Sequence, residues 1–158
     1  MSVKVTVVHG DILEQDVEAI VNSWNRNIIP WWLLLPQGVS GAIKRKAGTN
    51  PFKEVAKYGA IPLGEARFTS AGELNFKGII HVAGINLCWF ATEYSISQSV
   101  KNALNLAQQH GFKEIAMPLI GAGSGNRSAD WCFQCIMKTL KDIDSPVAVR
   151  VVKYVSTR

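Results

Sequence analysis

Apolar residues along this chain fall into two patterns, short runs rich in β-branched side chains and longer stretches with a period near 3.6. Residues 3–8 are rich in β-branched side chains and predict a strand, closed by a turn at His9-Gly10-Asp11-Ile12. Ala19-Ile20-Val21 predicts a second short strand, ended by Asn22-Ser23-Trp24-Asn25. Residues 66–70, 78–83, 114–119 and 147–155 carry the same short apolar signature and predict four more strands.

The helical period is clearest over 92–111. There Ile96, Val100, Ala103, Leu104 and Ala107 fall on one face, and Gly111 supplies the stop. Gly38-Val39-Ser40-Gly41 opens a shorter helix through Lys46, ended by Gly48. Pro51 in a first helical position predicts a helix over 51–58, with Asn50 as its N-cap and Gly59 past its end. Ser128 caps a last helix to about residue 143, with Cys132, Cys135, Ile136, Leu140 and Ile143 on its apolar face. Residues 26–37 read as irregular and hold Pro30-Trp31-Trp32-Leu33-Leu34-Leu35-Pro36.

Strands and helices alternate throughout, with no repeat, low-complexity tract or linker. That order predicts a single α/β domain over 1–158, with a mostly parallel central sheet and helices on both faces. A length of 158 residues, 47% hydrophobic, suits one domain with a real core. No run approaches the 18 apolar residues of a membrane span, so no membrane partner is expected. The N-terminus enters a strand pattern at once, without a basic-then-apolar leader, which predicts a cytoplasmic location.

Seventeen Lys and Arg against twelve Asp and Glu give a formal net charge of +5. That balance favours anionic partners. The basic residues are scattered apart from Lys44-Arg45-Lys46, so nucleic acid is only weakly supported as a partner. Three cysteines include one C-x-x-C at Cys132 and Cys135, with no second pair to complete a zinc site. These read as reduced thiols on a buried helix face. His9, His81 and His110 are not at metal-ligating spacing, so no metal site and no cofactor are predicted. The two strand-end histidines, His9 and His81, read as structural.

Ligands of open α/β sheets bind at the carboxyl ends of strands. Three polar or glycine-rich segments fall there: Gly10 to Ile12, Asn22 to Asn25, and Gly121-Ala122-Gly123-Ser124-Gly125-Asn126. Glycines let a backbone approach phosphate closely, and successive amides form an anion nest. The helix starts at Gly38 and near Ser128 add positive ends of helix dipoles. No Lys followed by Ser or Thr makes this a P-loop of the NTPase kind. Asp11 is a candidate acceptor for an exocyclic amine or a hydroxyl. Asn22 and Asn25 could cap backbone groups or bond sugar hydroxyls.

Six segments in register resemble the macro domain. They are Gly10-Asp11-Ile12, Ala19-Ile20-Val21-Asn22 with Asn25, Gly38 to Ile43, Leu63-Gly64-Glu65-Ala66, Ile80-His81 with Gly84, and Pro118-Leu119-Ile120 running into the glycine loop. The resemblance covers nearly the whole chain. It implies a three-layer α/β/α sandwich that binds ADP-ribose or an ADP-ribosylated substrate. Asp11, helped by the Ile12 amide, would hold the adenine amine. Gly38, Val39 and Ser40, with Gly121 to Asn126, would hold the diphosphate. Asn25 would contact the distal ribose.

The chain departs from the family pattern in three places. Hydrolase-type members carry Gly-Gly-Val-Asp where this chain has Gln37-Gly38-Val39-Ser40, and a serine cannot serve as a carboxylate base. Gly125 stands where the usual loop has an aromatic. The segment from Asn25 to Ser40 is longer than usual and holds Trp31 and Trp32, either as core packing or self-association, or as a lid over the ribose. Two functions follow. One is hydrolysis of an ADP-ribosyl linkage, as by an ADP-ribosylhydrolase or an O-acetyl-ADP-ribose deacetylase, with water held by the candidate catalytic residues Asn25 and Ser40. The other is a non-catalytic reader of ADP-ribose, with RNA binding as a distant third.

Overall fold

The computed structural model describes residues 2–26, 38–85, 90–122 and 127–154. Six strands and four helices alternate among the described residues. They are β1 (Val5–Gly10), β2 (Ala19–Trp24), α1 (Gly38–Ala47), α2 (Asn50–Ala56), β3 (Ala66–Thr69), β4 (Gly78–Ala83), α3 (Glu93–Gln109), β5 (Glu114–Met117), α4 (Ala129–Lys141) and β6 (Ala148–Tyr154). The strands form one sheet in the order β1-β6-β5-β2-β4-β3. Every neighbouring pair is parallel except β3 with β4, which is antiparallel. The sheet is therefore mostly parallel, as the alternation of elements predicts.

The period of two along each strand sorts side chains to two cores. Ala19, Val21, Ile80, Val82, Val149 and Val151 face the layer made by α3 and α4. Ile20, Trp24, Ile79, Ala83 and Val152 face Ile43, Phe52 and Val55 of α1 and α2. A sheet covered on both faces needs apolar residues at nearly every position of its central strands. β4 is accordingly buried at all six positions. This is a three-layer α/β/α sandwich.

The long helix α3 starts at a capping box, in which Thr92 Oγ1 accepts from Ser95 N and Ser95 Oγ accepts from Thr92 N. It ends at Gly111, whose φ of +73° suits a left-handed cap, with Phe112 N donating to Ala107 O. Ser128 caps α4 as expected, accepting from Trp131 N. α2 begins one residue earlier than expected. Asn50 is already helical, because Thr49 O accepts from Phe52 N and Lys53 N, and Thr49 makes no side-chain cap.

Strand limits move as well, β5 for example ending at Met117 rather than 119, and two extensions have tertiary reasons. β1 runs to Gly10 because its register with β6 pairs Gly10 with Tyr154. β2 continues to Trp24 because β4 pairs with it through Asn22–His81, Ser23–Val82 and Trp24–Ala83. Asn22 is thus a strand residue and not part of a closing turn. His81 lies inside β4 rather than at its end. Trp31, Trp32 and the rest of 30–36 lie outside the described residues.

Candidate functional site

The carboxyl ends of the parallel strands form one edge of the sheet, and the start of α1 sits over the end of β2. After β1 the chain makes a single 3-10 turn over Ile12–Glu14. Asp11 caps that turn, with Oδ1 accepting from Leu13 N at 2.9 Å. Gln15 Nε2 donates back to Asp11 O at 2.9 Å, which fixes the peptide behind the carboxylate. Ile12 is buried in the α1–α2 core. Asp11 therefore sits in a rigid turn, half-buried, with one oxygen engaged by its own backbone.

After β2, Asn25 is half-buried, and the exit is pinned at Arg26. Arg26 O accepts from Ile61 N at 2.8 Å, and Arg26 Nε donates to Ile61 O at 3.1 Å. α1 then enters with no acidic residue in its first turn and with Lys44, Arg45 and Lys46 in its last. Its first turn brings no carboxylate of its own to the positive end of the helix dipole. The basic run stands in the last turn of the same helix, where it favours the negative end of the dipole. α4 differs, since Ser128 caps it and Asp130 stands in its first turn. Its own residues thus offset part of its field, which those of the first turn of α1 do not.

Ser40, in the first turn of α1, is only 7% exposed. Its Oγ lies 2.7 Å from Asn22 Oδ1 and 3.2 Å from Ser23 O. Asn22 is fully buried, and its Nδ2 lies 3.1 Å from His81 Nδ1. His81 Nε2 lies 2.8 Å from Thr69 Oγ1, which donates to Ser70 O at 2.9 Å. These contacts join α1, β2, β4 and β3 beneath the site. The Asn22 side chain supports Ser40 and is not at the surface. Burial pushes the His81 pKa down to about 3, so the ring is neutral. His81 is structural, as expected, while His9 is exposed.

The glycine loop leaves β5 through Gly121, whose φ is +94°. A Cβ there would lie 2.6 Å from Ala91 Cβ, 3.1 Å from Ile96 Cδ1 and 3.2 Å from Cys132 Sγ. Packing against α3 and α4 thus already requires glycine at 121. The neck of the loop is closed by a bridge between Ala122 and Arg127, with Arg127 N donating to Gly121 O. Gly123, Ser124, Gly125 and Asn126, expected to bind phosphate, lie outside the described residues. Arg127 is exposed beside them. Its guanidinium packs 5.2 Å from the Phe90 ring centroid and 4.8 Å from that of Trp131. This cation was missed in the sequence, because Phe90 is 37 positions away.

Cys132 and Cys135 are both free thiols. Burial raises the Cys132 pKa to about 11 and also raises that of Cys135, which disfavours thiolate chemistry. Among the described residues no group of His, Cys, Asp and Glu is placed to hold a metal ion. Among them, too, no helix is long and apolar enough to cross a membrane.

Comparison with known proteins gives the family of this fold. The family model of the Macro domain matches residues 21–136. An uncharacterised protein of Pyrobaculum aerophilum is 38% identical over 125 residues, covering 77% of this chain and 65% of that one. A Citrobacter rodentium protein named O-acetyl-ADP-ribose deacetylase is 36% identical over 131 residues, covering 78% of this chain and 70% of that one. Among solved structures, an Oceanobacillus iheyensis macrodomain with ADP superposes with a TM-score of 0.81 at 27% identity, covering 95% of this chain and 83% of that one. With the fold and the family model in agreement, the chain belongs to the macro domain family.

Proposed function

We propose that this chain binds ADP-ribose, free or as an adduct, along the carboxyl edge of its sheet. The observation that carries this is the convergence of the Asp11 turn and the acid-free start of α1 on that edge. In this reading the free oxygen of Asp11 and the Ile12 amide take the adenine amine and ring. The first amides of α1, at Gly38, Val39 and Ser40, take the diphosphate together with the loop from Gly121 to Asn126. Asn25, beside the exit of β2, takes the distal ribose. The Oceanobacillus iheyensis macrodomain solved with ADP supports the nucleotide half. Titration calorimetry with ADP-ribose tests the reading. Micromolar or tighter binding is expected, and no heat at millimolar ligand would refute it.

The Citrobacter rodentium relative favours a second activity at the same site, hydrolysis of the acetyl ester of O-acetyl-ADP-ribose. Water would add to the ester carbonyl and release acetate and ADP-ribose. Asn25 and Ser40 would hold that water, but Ser40 cannot take its proton at neutral pH. The base would be a phosphate oxygen of the substrate itself. Release of acetate from O-acetyl-ADP-ribose is the assay, and its absence in a protein that binds ADP-ribose would make the chain a reader.

A further inference from the structure

Four side chains under the site form a chain of hydrogen bonds whose polarity is set by the backbone carbonyls at its two ends. The carbonyl of Ser70 accepts and never donates, and Thr69 Oγ1 spends its single proton on it at 2.9 Å. Thr69 must then accept from His81 Nε2 at 2.8 Å. The neutral ring carries its proton on Nε2, so Nδ1 accepts from Asn22 Nδ2 at 3.1 Å. That turns the Asn22 carbonyl toward Ser40, which donates to it at 2.7 Å. The reverse polarity would send the Ser40 proton to Ser23 O at 3.2 Å and end on a longer, weaker bond.

We propose that Asn22, His81 and Thr69 are positioning residues that hold Ser40 as a hydrogen-bond acceptor toward the ligand, so that position 40 selects a donor, a distal-ribose hydroxyl or the water bound to it, over a phosphate oxygen. The ligand named here rests on the ADP-ribose reading; the polarity of the relay does not. With its proton directed inward, Ser40 has only lone pairs left to present. Burial of His81 keeps its ring neutral, and only a neutral ring can accept on one side and donate on the other.

The relay has a second state, and residue 40 chooses between them. A carboxylate at this position has no proton to give and would oppose Asn22 Oδ1. The Asn22 amide would have to turn over and donate to it. His81 would then carry its proton on Nδ1, and Thr69 would donate to Nε2. Serine and carboxylate at position 40 therefore demand opposite tautomers of a histidine that touches neither.

Two-bond ¹H–¹⁵N correlation spectra of the ligand-free protein report that tautomer. The Nε2–H form is expected for His81 in the wild type and the Nδ1–H form in Ser40→Asp. Nδ1–H in the wild type, or the same form in both, overturns the proposal. Should Ser40→Asp not fold, the wild-type spectrum still decides. Thr69→Val removes the end of the relay at nearly constant volume. It should weaken ADP-ribose binding by about threefold to tenfold, the worth of roughly one buried hydrogen bond. Thr69→Ser should restore it, and ADP, which lacks the distal ribose, should bind both variants like wild type. No loss with Thr69→Val, no rescue by serine, or an equal loss on ADP overturns the proposal. A wild type that binds no ADP-ribose refutes the functional reading alone, because the spectra need no ligand.

Discussion

Gly121 stands at the neck of the candidate phosphate loop, and Gly121→Ala separates its packing role from a ligand role. Two independent penalties apply. The φ of +94° is unfavourable for any L side chain and costs about 1–2 kcal/mol. The new Cβ would sit 2.6 Å from Ala91 Cβ, with Ile96 Cδ1 and Cys132 Sγ close behind, in a fully buried cluster. Overpacking of that kind costs about 1–3 kcal/mol. Together they predict a loss of about 2–5 kcal/mol with no ligand present. At a urea slope of about 2 kcal/mol/M, within the usual range, the midpoint should fall by roughly 1–2.5 M, at an unchanged slope. Ala91→Gly in the same chain removes the nearest atom. It should recover part of the packing penalty but none of the backbone penalty, nor the contacts with Ile96 and Cys132. Urea unfolding followed by far-UV circular dichroism measures all three proteins. A Gly121→Ala stability within about 0.5 kcal/mol of wild type, or full recovery in the double variant, would refute the reasoning.

Asp11→Ala should weaken ADP-ribose by about 1–3 kcal/mol, the range for a hydrogen bond to a charged group, and equal calorimetric titrations would sink the adenine assignment. Asp11→Asn separates the charge from the cap, since an amide oxygen still accepts from Leu13 N. Gly123→Val should abolish binding while circular dichroism stays native, because a β-branched side chain blocks close approach to phosphate. Ser128→Ala should cost α4 about 1 kcal/mol of stability through its lost N-cap, read as a urea midpoint shift. The His81 pKa falls from 6.5 to about 3 on folding, so the unfolded chain binds the proton first as pH drops. Its contribution is complete above pH 6.5 and is lost toward pH 3, with a limiting slope of about 1.4 kcal/mol per unit. His81→Gln should flatten the stability profile in that window, and parallel profiles for the two proteins would contradict the buried neutral ring.

Much of the architecture was legible in the one-dimensional pattern. Element type depends on local pattern: a short apolar run is written into strands such as 78–83 and a period near 3.6 into helices such as Glu93–Gln109. The order of elements then limited the topology to a mostly parallel sheet between helices. Caps were readable for the same reason, since Ser128 and Gly111 act through neighbours within a few residues. The placement of the Asp11 turn and the start of α1 at strand ends followed from connectivity alone.

What the sequence left open were relations between residues far apart in the chain. Asn22 read equally well as a cap or a sugar ligand, and only its register opposite His81, 59 positions later, makes it the support of Ser40. Gly121 carried the signature of a phosphate loop, yet the atoms that forbid its side chain come from residues 91, 96 and 132. β2 ends at Trp24 rather than at residue 21 because β4 supplies the partners for three more residues. The one visible trace of the relay was a polar His81 within an otherwise apolar strand. The type and order of the elements were determined by interactions short in sequence. Burial, strand register and the direction of a hydrogen-bond chain depend on which distant segments meet, and those only the tertiary structure decided.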